Sequence, residues 1–167
     1  MTIKREAAFH EAGHAVAAYR SRFHNVVGEI NLSAYGAGEI YVSLSKRKLT
    51  AEGKPADPSV QRDKEVAKDL AVVLAAGLVA ERLAQERDGD LKANPMCAEP
   101  DYILMLEHLN AAGLSKKFNV HEEAAKAVLT GDWSLVNALA TYLFSELRVD
   151  PASVHQFIEH WDARHRA

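Results

Sequence analysis

The chain has 167 residues, 48% of them hydrophobic and 26% charged, a balance that fits one folded globular domain with a sizeable core. A formal net charge of −3 argues against a nucleic-acid partner. The single cysteine, Cys97, excludes an internal disulfide, suits a reducing compartment and reads as a small packed residue. The start of the chain runs polar into its first helix with no signal-peptide pattern, and the longest apolar run, residues 70–80, is too short to cross a bilayer. These features predict a cytoplasmic protein without a membrane partner. No GxxxxGKS/T stretch occurs, so no P-loop is expected.

Residues 4–22 lack proline and are rich in alanine, which predicts the first helix. It carries His10-Glu11-Ala12-Gly13-His14, an HExxH motif. On a helix, residues four apart share a face, so His10 and His14 can reach one metal ion together while Glu11 projects beside them. Zinc suits imidazole ligands and, in a catalytic site, keeps one position for water, which it makes acidic enough to become a nucleophile near neutral pH. Glu11 is then placed to take the proton. Gly13 costs about 1 kcal/mol relative to Ala inside a helix. Together with Ala7, Ala8, Ala15 and Ala17 it makes a thin helix suited to close approach by a second one.

Residues 25–33 read as a strand with Ile30 and Leu32 on one face and Glu29 and Asn31 on the other. Tyr35-Gly36-Ala37-Gly38 supplies a turn. Residues 39–44 read as the returning strand of a hairpin, with Ile40, Val42 and Leu44 inward and Glu39, Tyr41 and Ser43 outward. An exposed edge there offers strand pairing to an extended peptide. Lys46-Arg47-Lys48 reads as a solvated loop. Asp57 and Pro58 predict the cap and first position of a long helix ending near Arg87, before Asp88-Gly89. Its alanine-rich middle, 67–84, is the natural partner for the thin face of the first helix and the buried centre of the domain. Residues 92–100 form a loop, and a helix over 101–112 opens at Asp101, a carboxylate that can stabilise the helix N-terminus or bind a metal. Helices follow over 120–130, 133–147 (capped by Asp132) and 151–165 (capped by Asp150). His108, His121, His155, His160 and His165 are scattered along them as surface or packed residues. The fold class expected is α+β, mainly α-helical: an HExxH helix, a small hairpin or sheet and a C-terminal helical bundle, with 1–100 and 101–167 as parts of one domain.

Three separated segments resemble the zinc peptidase domain of the FtsH family, the membrane-bound AAA proteases. Phe9-His10-Glu11-Ala12-Gly13-His14-Ala15-Val16 looks like the family's zinc motif. Leu74-Ala75-Ala76-Gly77-Leu78-Val79-Ala80-Glu81-Arg82 is similar to its Gly-Gly-Arg-x-Ala-Glu-Glu helix, with Ala76, Leu78 and Arg82 departing from it. Met96-Cys97-Ala98-Glu99-Pro100-Asp101 stands where the family has Thr-Gly-Ala-Ser-Asn-Asp, with Pro100 in place of the Asn. The resemblance implies a zincin-like fold, Zn2+ as the metal and Asp101 as its third ligand after His10 and His14. It covers neither the family's ATPase module nor its membrane helices. It therefore implies either unfolded or short peptides as substrates or reliance on a separate ATPase partner, and, since the family's peptidase domains form hexamers, it leaves a homo-oligomer open.

Two functional classes follow. The first is a zinc metallopeptidase, with Glu11 as general base and His10, His14 and Asp101 as ligands, ATP-independent as an isolated chain. The second is a catalytically silent zinc-binding interaction module, against which the intact Glu11 weighs. A different ligand layout would use Glu81 in place of Asp101.

Overall fold

The computed structural model describes residues 2–37, 41–115 and 117–166. Among them are seven α-helices and two small antiparallel sheets, the mainly helical α+β class expected. Helix α1 (Arg5–Arg20) is buried at every position from Ala7 to Ala18 and packs chiefly on α3 (Lys64–Arg87) and α6 (Trp133–Glu146). The small side chains of α1 make this burial cheap in volume. At Gly13 an added Cβ would stand 2.5 Å from the Ala76 carbonyl oxygen and 2.6 Å from the Ala80 Cβ. Glycine is therefore what lets α1 lie against α3, as the thin-helix pattern predicts. Helices α4 (Glu99–Ala111), α5 (Asn119–Gly131) and α7 (Pro151–His165) complete the bundle. One continuous apolar core joins Val16, Leu74, Met105, Leu129, Leu139 and Ile158 from these helices. No helix among the described residues is long and apolar enough to cross a membrane.

The expected hairpin does not form as a simple pair of long strands. Strand β1 (His24–Val26) pairs with β3 (Val42–Leu44) antiparallel, His24 opposite Leu44. Just beyond, Val27 N and Gly28 N both donate to the Tyr41 carbonyl, at 2.7 and 3.1 Å. Two residues facing one is a β-bulge, which bends the strand and ends the ladder. The chain then leaves, and β2 (Ile30–Asn31) pairs with β4 (Arg148–Val149), more than a hundred residues away in sequence. Tyr41, expected outward, is buried at 6% exposure. Val42 and Leu44 are half-buried and Ser43 is exposed. Ile30 and Leu32 do face the core, and Gly36 takes the turn at φ +85°. Gly38, Glu39 and Ile40 lie outside the described residues.

Other local readings change once tertiary partners are present. Lys46-Arg47-Lys48 is not a loop but the start of α2 (Lys46–Ala51), with Ser45 Oγ accepting from Lys48 N. Lys48 Nζ donates to the carbonyls of Ala18, Tyr19 and His24, closing the C-terminal end of α1. The long helix expected from Pro58 is interrupted. Asp57 caps only a 3-10 turn, Pro58–Arg62, and the Asp63 carboxylate accepts from Glu65 N and Val66 N to start α3 afresh. Its end at Arg87 is as expected. Asp132 does not cap α6, because its carboxylate is taken by Arg20 Nε at 2.8 Å and Arg166 Nη2 at 2.6 Å. Asp150 caps α7 through Ser153 N.

Gly13→Ala should gain about 1 kcal/mol of helix propensity yet lose stability overall, because prising two packed helices apart typically costs about 1–3 kcal/mol. Gly131→Ala, whose Cβ meets nothing within 4 Å, should leave stability unchanged or slightly raised. Thermal unfolding of the two variants checks the contrast, and a Gly13→Ala midpoint above wild type would refute the close-approach account.

Candidate metal centre

His10 and His14 project from α1 toward α3, where Gly77 leaves the space their rings fill. A Cβ at Gly77 would stand 2.5 Å from His14 Nε2 and 2.6 Å from His10 Nε2. His14 Nδ1 lies 2.8 Å from the Val73 carbonyl oxygen, which can only accept, so Nδ1 carries the proton. His10 Nδ1 donates likewise to Glu81 Oε2 at 2.7 Å. Both Nε2 atoms are thereby turned away from their anchors and toward each other, 3.0 Å apart. Asp101, in the first turn of α4, brings Oδ2 to 3.0 Å from each of them. The three atoms form a near-equilateral triangle at the bottom of a cavity of about 20 Å3, room for a water molecule.

Two imidazole nitrogens and a carboxylate oxygen are a donor set that zinc accepts, and ligand atoms about 2 Å from a tetrahedral zinc stand ~3.3 Å from one another. The observed triangle is close to that spacing. Facing lone pairs repel unless a proton or a metal ion sits among them. The electrostatics point the same way. Burial works against a charge on His10, but hydrogen bonds to Asp101 and Glu81 outweigh it and push its pKa up to about 10. His14 is also raised, the attraction of Asp101 overcoming burial. Asp101 is held far below the usual carboxylate range, since the two histidines outweigh its burial. The three groups thus hold one another in their charged forms, and a cation that displaces the imidazole protons would take over the attraction of Asp101.

Glu11 lines the same cavity, with Oε1 3.9 Å from His10 Nε2. Burial raises its pKa, while His10, His14 and the Tyr41 hydroxyl pull it back down. The Tyr41 hydroxyl is 3.5 Å from the Glu11 carbonyl oxygen, and burial together with the Glu11 carboxylate holds that phenol strongly protonated.

Glu81 does not join the triangle. Its fully buried carboxylate grips the far nitrogen of His10, on the side of the ring away from the triangle. Glu81 Oε1 also accepts from the Tyr35 hydroxyl at 2.6 Å and Asn94 N at 3.0 Å, tying two loops to the ring. Pro100 occupies the second position of α4, where its missing N–H is no loss, and Asp101 reaches the site undisturbed. Cys97 is half-buried and lines the cavity beside Gly36. Asn31, Tyr35 and Tyr41 are site residues that the sequence did not reveal. Strand alternation puts Tyr41 outward, but α1 covers that face: the ring lies 6.3 Å from His14, and the hydroxyl reaches the Glu11 carbonyl.

Comparison with protein-family models gives no match, and neither a curated protein nor a solved structure matches the chain.

With zinc offered in equilibrium dialysis, Asp101→Ala should lose most of the metal bound by wild type, and Glu81→Gln should weaken it by about 10–100-fold, the usual effect of removing a ligand's hydrogen-bond support. Gly77→Ala should abolish uptake while preserving helical circular dichroism. Undiminished zinc in Gly77→Ala would contradict the placement of both rings.

Proposed function

We propose that the protein is a zinc-dependent metallopeptidase that hydrolyses peptide bonds in unfolded or short polypeptides, without ATP as an isolated chain. The observation that carries this reading is the convergence of His10 Nε2, His14 Nε2 and Asp101 Oδ2 with the Glu11 carboxylate beside them. A structural zinc site has no use for that fourth group, whereas hydrolysis needs a base next to the metal. When bound there, zinc supplies a Lewis acid that acidifies water and polarises a carbonyl.

The chain's own residues divide the remaining work. His10, His14 and Asp101 hold the ion, with Glu81 and the Val73 carbonyl fixing the two rings. Glu11 takes a proton from the attacking water and returns it to the leaving amine; its raised pKa suits both transfers. Tyr41 presents a protonated hydroxyl to the same cavity. Strand β3 pairs with β1 on one side only among the described residues, which leaves an edge for an extended peptide. The small antiparallel sheet beside an HExxH helix, together with the three resembling segments, supports a zincin-like, FtsH-type peptidase domain. A cytoplasmic setting, self-association and a separate unfolding ATPase belong to the same reading.

A zinc-holding interaction module without turnover is the second reading. It is favoured by the small volume at the site, where a substrate carbonyl has little room.

Glu11→Gln separates the two. It keeps the side chain's size and removes the base, so hydrolysis of a casein-like unfolded substrate should fall by about 10²–10⁴-fold. Zinc content should not change. ATP should have no effect on the wild-type rate. Zinc-loaded wild type that cleaves nothing across a broad peptide library supports the module reading, and equal cleavage by both proteins assigns the activity to a contaminant.

A further inference from the structure

A second cavity, of about 220 Å3, opens between β3, α3 and α4. It lies one helical turn along the same elements that build the metal centre. Leu70 in its wall precedes Val73, whose carbonyl holds His14, and Leu104 follows Asp101. Val42 and Val66 continue the apolar lining. Into these walls are set two imidazoles, His24 and His108, with Ser43 and Gln61 as the remaining polar lining residues.

His24 is only 2% exposed, and its hydrogen bonding is one-sided. Nδ1 lies 2.6 Å from Asp69 Oδ2, and the same carboxylate accepts from Arg22 N at 3.1 Å and Phe23 N at 3.0 Å. An acceptor so engaged fixes the ring proton on Nδ1 and leaves Nε2 as the acceptor. Among the described residues Nε2 has no partner, yet no side-chain nitrogen or oxygen there is both fully enclosed and unpaired. Nε2 is therefore not fully enclosed, and the ring that carries it lines the cavity. An acceptor set among mostly apolar walls is poorly solvated, and a ligand that covers it without offering a donor leaves it unpaired. His108, half-buried and with its pKa lowered by burial, stands near His24 as a neutral ring able to donate.

We propose that this cavity is a side-chain subsite for a phenol, so that peptides bound at the metal centre carry tyrosine beside the bond to be cleaved; the subsite role rests on the peptidase reading, whereas the phenol site does not. The chemistry narrows the occupant. A dry cavity of about 150 Å3 is enough for benzene, so a ring with a hydroxyl fits here. The hydroxyl donates to His24 Nε2 and accepts from His108. Phenylalanine fills the walls but leaves Nε2 desolvated and unpaired. A carboxylate would bring a negative charge toward Asp69 and find an acceptor where it needs a donor. An ammonium would satisfy Nε2 with one proton and strand the others among leucine and valine.

The test titrates N-acetyl-tyrosine amide and N-acetyl-phenylalanine amide into the full chain while following the imidazole nitrogens by NMR. It also compares fluorogenic peptides that differ only in tyrosine, phenylalanine or alanine beside the scissile bond. Tyrosine amide should bind at least about tenfold more tightly than phenylalanine amide, since a site built around a hydroxyl rejects its isostere. The His24 and His108 signals should move with it. His24 anchors Asp69 and is left intact. His108→Leu should erase the preference and Leu104→Trp should block binding, both with unchanged zinc content. Equal affinity for the two amides, or no shift at either imidazole, overturns the proposal. Phenol binding without hydrolysis of any peptide upholds the phenol site and overturns the peptidase reading. Hydrolysis indifferent to tyrosine, with no amide bound, does the reverse.

Discussion

The contact between α1 and α3 is closer than a side chain with a Cβ permits, and it is so at two points on opposite partners. Gly13 of α1 lies under the Ala76 carbonyl, and Gly77 of α3 lies under the rings of His10 and His14. The first glycine sets the distance between the helices. The second turns that distance into a place for two imidazoles. Had either been alanine, the rings would stand further from Val73 and Glu81, and the hydrogen bonds that aim Nε2 at Asp101 would be lost. A core this rich in alanine gains less from each buried side chain than a leucine core does. What it gains in exchange is an approach short enough to hold polar groups at defined positions.

The polar interior built on that contact is satisfied almost entirely from within. Glu81 is buried with both oxygens engaged, by His10 on one side and by Tyr35 and Asn94 on the other. A buried carboxylate with three donors is tolerable where an isolated one would not be. It also couples the loops on either side of the cavity to one ring of the candidate metal centre. Asp101 supplies the opposite charge balance from α4, at the helix end where a carboxylate is favoured in any case. A favourable charge in the first turn of α4 and a place facing His10 and His14 are therefore compatible roles for this residue.

Legibility followed the range of the interaction. The HExxH spacing and the thin face of α1 are properties of one helix turn, and both were readable. So were the end of α3 at Arg87 and the Asp150 cap of α7. Misreadings arose where a distant group claimed a local one. Asp132 has the position of a cap but is held by Arg20 and Arg166. Lys48 has the company of a surface loop but reaches three carbonyls at the end of α1. Tyr41 alternates as an outward residue, but His14 and the Glu11 backbone of α1 lie against that face.

By itself the sequence determined that His10, Glu11 and His14 share a helix and that this helix is small enough for another to approach, since periodicity and side-chain volume are encoded residue by residue. Without the resemblance, it left Asp101 between two roles and Glu81 an open rival for the same metal. Only the tertiary structure separates the two carboxylates, because it sets which ring nitrogen each faces across α1, α3 and α4: Asp101 meets both Nε2 atoms and Glu81 meets His10 Nδ1. The second cavity was likewise invisible in the sequence. His24 and Asp69 stand 45 positions apart, and neither has a local pattern that announces the other. Their pairing exists because β1 is carried alongside α3 by the packing of α1, and no spacing along one element can express a distance between two.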